Sequence, residues 1–143
     1  MAVETYVLAE VNWGIAQSSG TRTTALALST VGYTAIDSHE VIRAGAYAFD
    51  TGSNVSHTFM VCFEWTTYLA SNLIFRLQDV TNALTISTIT PGSSTVGAAT
   101  FVTSTTFANL PAANARVELQ YTMTSTAAAK FYAAAWYVNR WAV

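Results

Sequence analysis

Apolar and polar positions alternate with a period of two along most of this chain, the spacing of strands with one buried face, and helical spacing is nowhere sustained. The pattern is clearest in residues 73–87, LIFRLQDVTNALTIS. Leu73, Phe75 and Leu77 fall on one side, Ile74, Arg76 and Gln78 on the other, and the polar residues around Asp79 and Asn82 form a turn. This reads as the central hairpin of an antiparallel domain.

The same alternation extends to either side. Residues 56–67 (SHTFMVCFEWTT) put Phe59, Val61, Phe63 and Trp65 on one face and Met60 and Cys62 on the other. Residues 115–124 separate Val117, Leu119, Tyr121 and Met123 from Arg116, Glu118 and Gln120, and residues 130–141 (KFYAAAWYVNRW) are aromatic and alanine-rich on both faces. Strands are also expected at 3–15, with a polar break at Asn12, at 21–29, with Leu26 and Leu28 on one face, at 41–49 and at 100–107. Residues 32–40, ending in IDSHE, look irregular. Turn formers mark 50–54 (DTGSN), 91–94 (PGSS) and the Pro111 loop at 109–114.

Eight or nine strands, spaced by about 8–12 residues, predict an all-β antiparallel two-sheet sandwich of the jelly-roll type. Residues 1–143 make a single domain, with residues 1–20 an N-terminal arm or first strand. Two segments, FMVCF and FYAAAWYV, are apolar on both faces, whereas an antiparallel sandwich normally wets one face of each sheet. A second subunit is the simplest cover for them, so a homo-oligomer is expected.

Composition strengthens that expectation. Only 10% of residues are charged against 52% hydrophobic, and Ala (24) and Thr (22) make up much of the chain. A surface whose polarity comes from hydroxyls resists association weakly. The formal net charge is −2 and the basic residues are scattered singly. Nucleic acid, which is held by clustered positive charge, is not an expected partner. Residues 1–11 carry Glu4 and Glu10 and no basic leader, and no apolar run approaches the roughly 20 residues that span a bilayer. Neither secretion by a signal peptide nor membrane insertion is expected, and synthesis in the cytoplasm follows.

Candidate chemistry is sparse. His39 lies between Asp37 and Glu40, but no paired metal-ligand spacing accompanies it, and His57 is far away in sequence. DTGSN alternates oxygen ligands like the start of a calcium loop, yet Val61 stands where the bidentate Glu would fall. Asn54-Val55-Ser56 is formally a glycosylation acceptor. Cys62 is the single cysteine and reads as a small hydrophobe. No nucleophile elbow or phosphate-cradling glycine motif occurs. A carboxylate pair remote in sequence would escape this reading, but no enzyme, metal or cofactor is indicated. Trp13, Trp65, Trp136 and Trp141 could stack on sugar rings, and read more simply as core or interface anchors.

Residues 75–82 (FRLQDVTN), the TFVTSTTF strand, residues 117–121 (VELQY) and the closing FYAAAWYV together make residues 43–140 resemble the jelly-roll domains of viral and phage structural proteins. Those domains are themselves similar to tumour-necrosis-factor-type trimeric heads. The first forty residues resemble nothing identifiable. The resemblance implies a capsid decoration or minor capsid protein, resident in the virion, that forms a homotrimer and binds the major capsid protein or other virion subunits. It implies no catalytic residue. The contacts expected on this reading are Trp13, Met60, Trp65, Arg76, Phe131, Trp136, Tyr137 and Trp141. The alternative is a carbohydrate-binding head of a fibre or a sugar-binding module; a strand-exchanging filament subunit is a third possibility.

Overall fold

A computed structural model of the chain describes residues 3–14, 26–28, 32–41, 55–68, 73–92, 95–111, 114–123 and 128–141. They form strands β1 (Val3–Gly14), β2 (Leu26–Leu28), β3 (Thr34–Val41), β4 (Val55–Thr67), β5 (Leu73–Asp79), β6 (Leu84–Ile89), β7 (Ala99–Thr103), β8 (Ala115–Met123) and β9 (Ala128–Trp141). Among the described residues there is no helix. All pairings are antiparallel. One sheet runs β1-β9-β4-β7, with β2 also on β9, and the other runs β3-β8-β5-β6.

Alternation explains the interior. Phe59, Val61, Phe63 and Trp65 of β4, Leu73, Phe75 and Leu77 of β5, and Val117 and Leu119 of β8 have no exposed surface, and they join Tyr121 and Met123 in one hydrophobic core. Phe75 links the sheets. Its ring centroid lies 5.7 Å from that of Phe63 and 6.4 Å from that of Phe131, both in the opposing sheet. The two antiparallel sheets thus face each other as a sandwich.

The final strand departs from simple alternation. Cys62 pairs with Ala133 and Phe63 with Phe131, so Tyr132 is an extra residue in β9. This β-bulge shifts the parity of the strand. Phe131 and Trp136, which straight alternation would send to opposite faces, both enter the core with no exposed surface. The second cover expected over FYAAAWYV is therefore not required for Phe131 and Trp136.

Several boundaries also move. Residues 34–41 are a full strand rather than an irregular segment, pairing along β8 from Thr34↔Tyr121 to Val41↔Ala115. The strand expected at 100–107 ends at Thr103, because Ser104 turns its hydroxyl back to accept the Phe59 N–H at 2.9 Å and donates it to the Thr105 carbonyl at 2.8 Å. The first strand, β1, pairs with β9 rather than hanging free as an arm. Of the strand expected at 21–29 only Leu26–Leu28 is described, as β2, and of that expected at 41–49 only Val41, which ends β3; the rest of both, and the DTGSN turn, lie outside the described residues.

Candidate functional site

With the inner faces committed to the core, the functional surfaces are the two outer faces and the sheet edges. On the larger sheet, β4 presents Met60, Cys62 and Glu64. Cys62 stands between Phe101 of β7 and Ala133 of β9, and Met60 between Thr103 and Ala135. Phe101 is 65% exposed, the most exposed large hydrophobic residue among those described. Tyr132 donates its hydroxyl to Glu64 Oε2 at 2.5 Å. That bond, with smaller contributions from desolvation and from the charges of Glu64 and Cys62, raises the Tyr132 pKa above its ordinary value. Burial pushes the Cys62 thiol up as well, the direction opposite to that of an activated thiolate. This face can bury apolar area; it is poorly equipped for nucleophilic chemistry.

The outer face of the smaller sheet is a closed polar lattice. Arg76 Nε donates to Gln120 Oε1 at 2.8 Å, and its guanidinium carbon lies 3.4 Å from the centroid of the Tyr33 ring. Gln120 Nε2 donates in turn to Glu118 Oε2 at 2.7 Å, and Arg116 Nη2 pairs with Glu118 Oε1 at 3.3 Å. Thr85 donates to Gln78 Oε1 at 2.8 Å. Arg76, Arg116 and Glu118 each lean on a neighbour, and the Arg76–Gln120 and Thr85–Gln78 bonds cross from strand to strand, which favours one register.

A third polar feature is internal. His57, 3% exposed, accepts a hydrogen bond at Nδ1 from Trp136 Nε1 at 3.0 Å and stacks on Phe107 with centroids 6.0 Å apart. Phe107 also meets Trp136 edge-on at 5.0 Å. The group closes one end of the core. Trp65, in the same core, stands edge-on to Tyr68 at 5.2 Å, and its Nε1 has no hydrogen-bond partner among the described residues. Among the described residues no three His, Cys, Asp or Glu side chains gather into a metal-binding group.

The expected contact residues divide sharply. Trp65, Phe131 and Trp136 have no exposed surface and are core residues of the chain itself, which corrects their assignment as partner contacts. The cause is parity, together with the β9 bulge. Met60 and Tyr137 are half-buried in strands of the larger sheet, and Arg76 is half-buried in the polar lattice of the smaller one. Trp13 and Trp141 stand opposite Ala134 and Val3 in the β1–β9 ladder, and their side chains lie outside the described residues, as do those of Asp37, His39 and Glu40. The sequence reading missed Phe101 and Tyr33. Phe101 sits in a hydroxyl-rich strand to which the sequence assigned no faces, and the pairing of Tyr33 with Arg76 joins residues distant in sequence. Comparison with known proteins finds no matching family model, curated protein or solved structure.

Proposed function

We propose that the chain is a jelly roll serving as a non-enzymatic virion structural protein, a decoration or cement subunit that self-associates as a trimer and binds the shell of the major capsid protein. The fold part of this reading is supported by the order of pairing. β1 with β9, β3 with β8, β4 with β7 and β5 with β6 are the nested partners of one long folded-back ladder. Rolling that ladder brings β9 beside β4 and β8 beside β5, as in a jelly roll.

The observation that carries the functional part is the outer face of the larger sheet, uncharged at Met60, Cys62 and Phe101 and strongly exposed at Phe101. Such a face gains free energy by covering itself, and many weak copies of one contact add by avidity on a symmetric shell. Of the tryptophans offered for a sugar-stacking platform, Trp65 and Trp136 present no exposed ring. The test is rebinding: the purified chain is added to particles stripped of it, and saturable, stoichiometric binding is expected. Absence of binding overturns the proposal.

A further inference from the structure

Charge is unevenly distributed around the sandwich. At one side the edge strands β1 and β3 carry Glu4 and Glu10, and Asp37, His39 and Glu40. At the other side lie the edge strands β6 and β7, and residues 80–115, which contain both, include no Asp, Glu, Lys, Arg or His.

Edge strands expose unpaired backbone groups, and proteins usually blunt them with charge, proline, bulges or a covering segment. β6 is covered by its own chain. Ala108 N–H donates to the Ile86 carbonyl at 3.2 Å and Asn109 Nδ2 to the Thr85 carbonyl at 2.9 Å, and a register shift interrupts the β5–β6 ladder. Among the described residues β7 shows none of these devices. Its register against β4 runs without a shift from Met60↔Thr103 to Glu64↔Ala99.

The hydrogen-bond phase of β7 follows from its end. Ser104 N–H donates to the Phe59 carbonyl at 2.8 Å, so Phe59 and Ser104 form a bonded pair. Bonded pairs alternate in an antiparallel ladder. Val102 and Thr100 therefore turn their backbone groups towards β4, and the N–H and C=O of Ala99, Phe101 and Thr103 point out at the open edge. The same three residues have exposed side chains.

We infer that β7 is a homotypic contact, pairing antiparallel with β7 of a second copy about a two-fold axis at Phe101. In this register Phe101 faces its own counterpart and Ala99 faces Thr103, all as bonded pairs that can exchange both N–H···O bonds. The larger sheet then continues across both molecules, with the two Phe101 rings adjacent on its outer face. A second copy is the occupant because the edge is self-complementary about its central residue, and a neutral strand meets its own copy without like-charge repulsion. The contact deepens the self-association in the reading above and depends on that reading only for its place in a particle. Being two-fold, it would act between trimers rather than within one.

Sedimentation of the intact chain over a range of concentrations, with Phe101→Lys and Phe101→Pro variants, tests the contact. Proline is informative because the Phe101 N–H points outward, so no bond to β4 is lost. Each variant is expected to halve the mass of the assembled species while keeping a cooperative melt, with association weakened at least about tenfold by loss of the ring pair and, for lysine, by like charge. In a Cys62→Ser background, which removes the intrachain neighbour, Phe101→Cys is expected to form a reducible crosslink between copies, because bonded antiparallel residues lie about 5.5 Å apart at Cα, within disulfide reach. A wild-type chain whose mass is unchanged by either variant, or a cysteine variant that yields no crosslinked pair, overturns the inference. Rebinding to stripped particles by a chain that makes no such pair would leave the proposed function standing and sink this contact alone; pairing without rebinding would do the reverse.

Discussion

Replacing Asp79 by Ala is expected to loosen the β5–β6 hairpin, and the structure sets the size of the effect. Asp79 is 1% exposed and accepts two hydrogen bonds from Asn82, at Oδ1 from the backbone N–H (3.0 Å) and at Oδ2 from Nδ2 (2.7 Å). The turn is also tied to β8, since Val80 N–H donates to the Arg116 carbonyl and Arg116 N–H to Thr81 Oγ1, both at 2.9 Å. A hydrogen bond to a charged acceptor contributes about 1.5–3 kcal/mol. Asn82 is exposed and recovers water when its partner goes, and alanine avoids the desolvation of a buried carboxylate, so two such bonds do not add in full. About 2 kcal/mol is expected, and Asp79→Asn, which keeps one acceptor oxygen, should lose roughly half of that.

Four residues on, a substitution of opposite sign is available. Ala83 closes the turn with φ of 56°, in the left-handed region. That conformation costs a non-glycine residue about 1–2 kcal/mol, whereas glycine costs about 0.4–1 kcal/mol through the freer unfolded chain. Ala83→Gly should therefore stabilise by about 0.5–1 kcal/mol. Urea unfolding followed by tryptophan fluorescence reads both changes. With a slope of about 2 kcal/mol/M, Asp79→Ala lowers the midpoint by about 1 M and Ala83→Gly raises it by about 0.3–0.5 M at unchanged slope. An Asp79→Ala midpoint equal to that of the wild type would show that the cap contributes nothing. A lower midpoint for Ala83→Gly would show that the turn relaxes out of its left-handed residue.

Trp136→Phe removes the N–H that serves His57 Nδ1 inside the core, and a melting experiment should show a loss of about 1–3 kcal/mol. The Tyr132 hydroxyl, held by Glu64, has a pKa raised above the ordinary 10.0, so its contribution to stability is full below that value and fades as pH rises through the folded pKa. Ultraviolet titration of the wild type against Tyr132→Phe should isolate this late ionisation, and Glu64→Gln should move it earlier; no difference between the titrations would refute the pairing. Arg76→Ala gives up the stack on Tyr33 and the bond to Gln120, with an expected loss of about 1 kcal/mol in urea unfolding, and Arg76→Lys should recover little because an ammonium lacks the planar fork.

The inner faces of β4, β5 and β8 were legible because side-chain direction in a regular strand depends only on local period. Phe59 to Trp65, Leu73 to Leu77 and Val117 to Met123 all lie inward as alternation requires. The hairpin turn was legible for the same local reason. What escaped was non-local or irregular. The bulge at Tyr132 brings both Phe131 and Trp136 inside although they stand at positions of opposite parity, and no residue type announces a bulge. β3 was missed because Asp37, Ser38, His39 and Glu40 break the apolar pattern, although an edge strand needs to satisfy only one neighbour. The Tyr33–Arg76 stack depends on which strands become neighbours, and pairing between distant segments has no local signature.

The contrast among the edges can be argued from free energy. Phe101 is 65% exposed, so its ring gives the isolated fold little, and a lysine there would keep the β4–β7 ladder intact. An exposed phenylalanine on an unbulged strand that no described residue covers instead raises the free energy of the separated molecule by leaving apolar area in water. That term vanishes when the ring is covered. The composition of β7 thus lowers the free energy of the paired state without stabilising the fold, whereas the inward Phe75, equally aromatic and wholly buried, contributes to folding and nothing to association. The two residues separate experimentally: Phe75→Ala should cost about 3–5 kcal/mol of stability at any concentration, and Phe101→Ala should lower the assembled mass and leave the melt unchanged at dilutions where the wild type is dissociated.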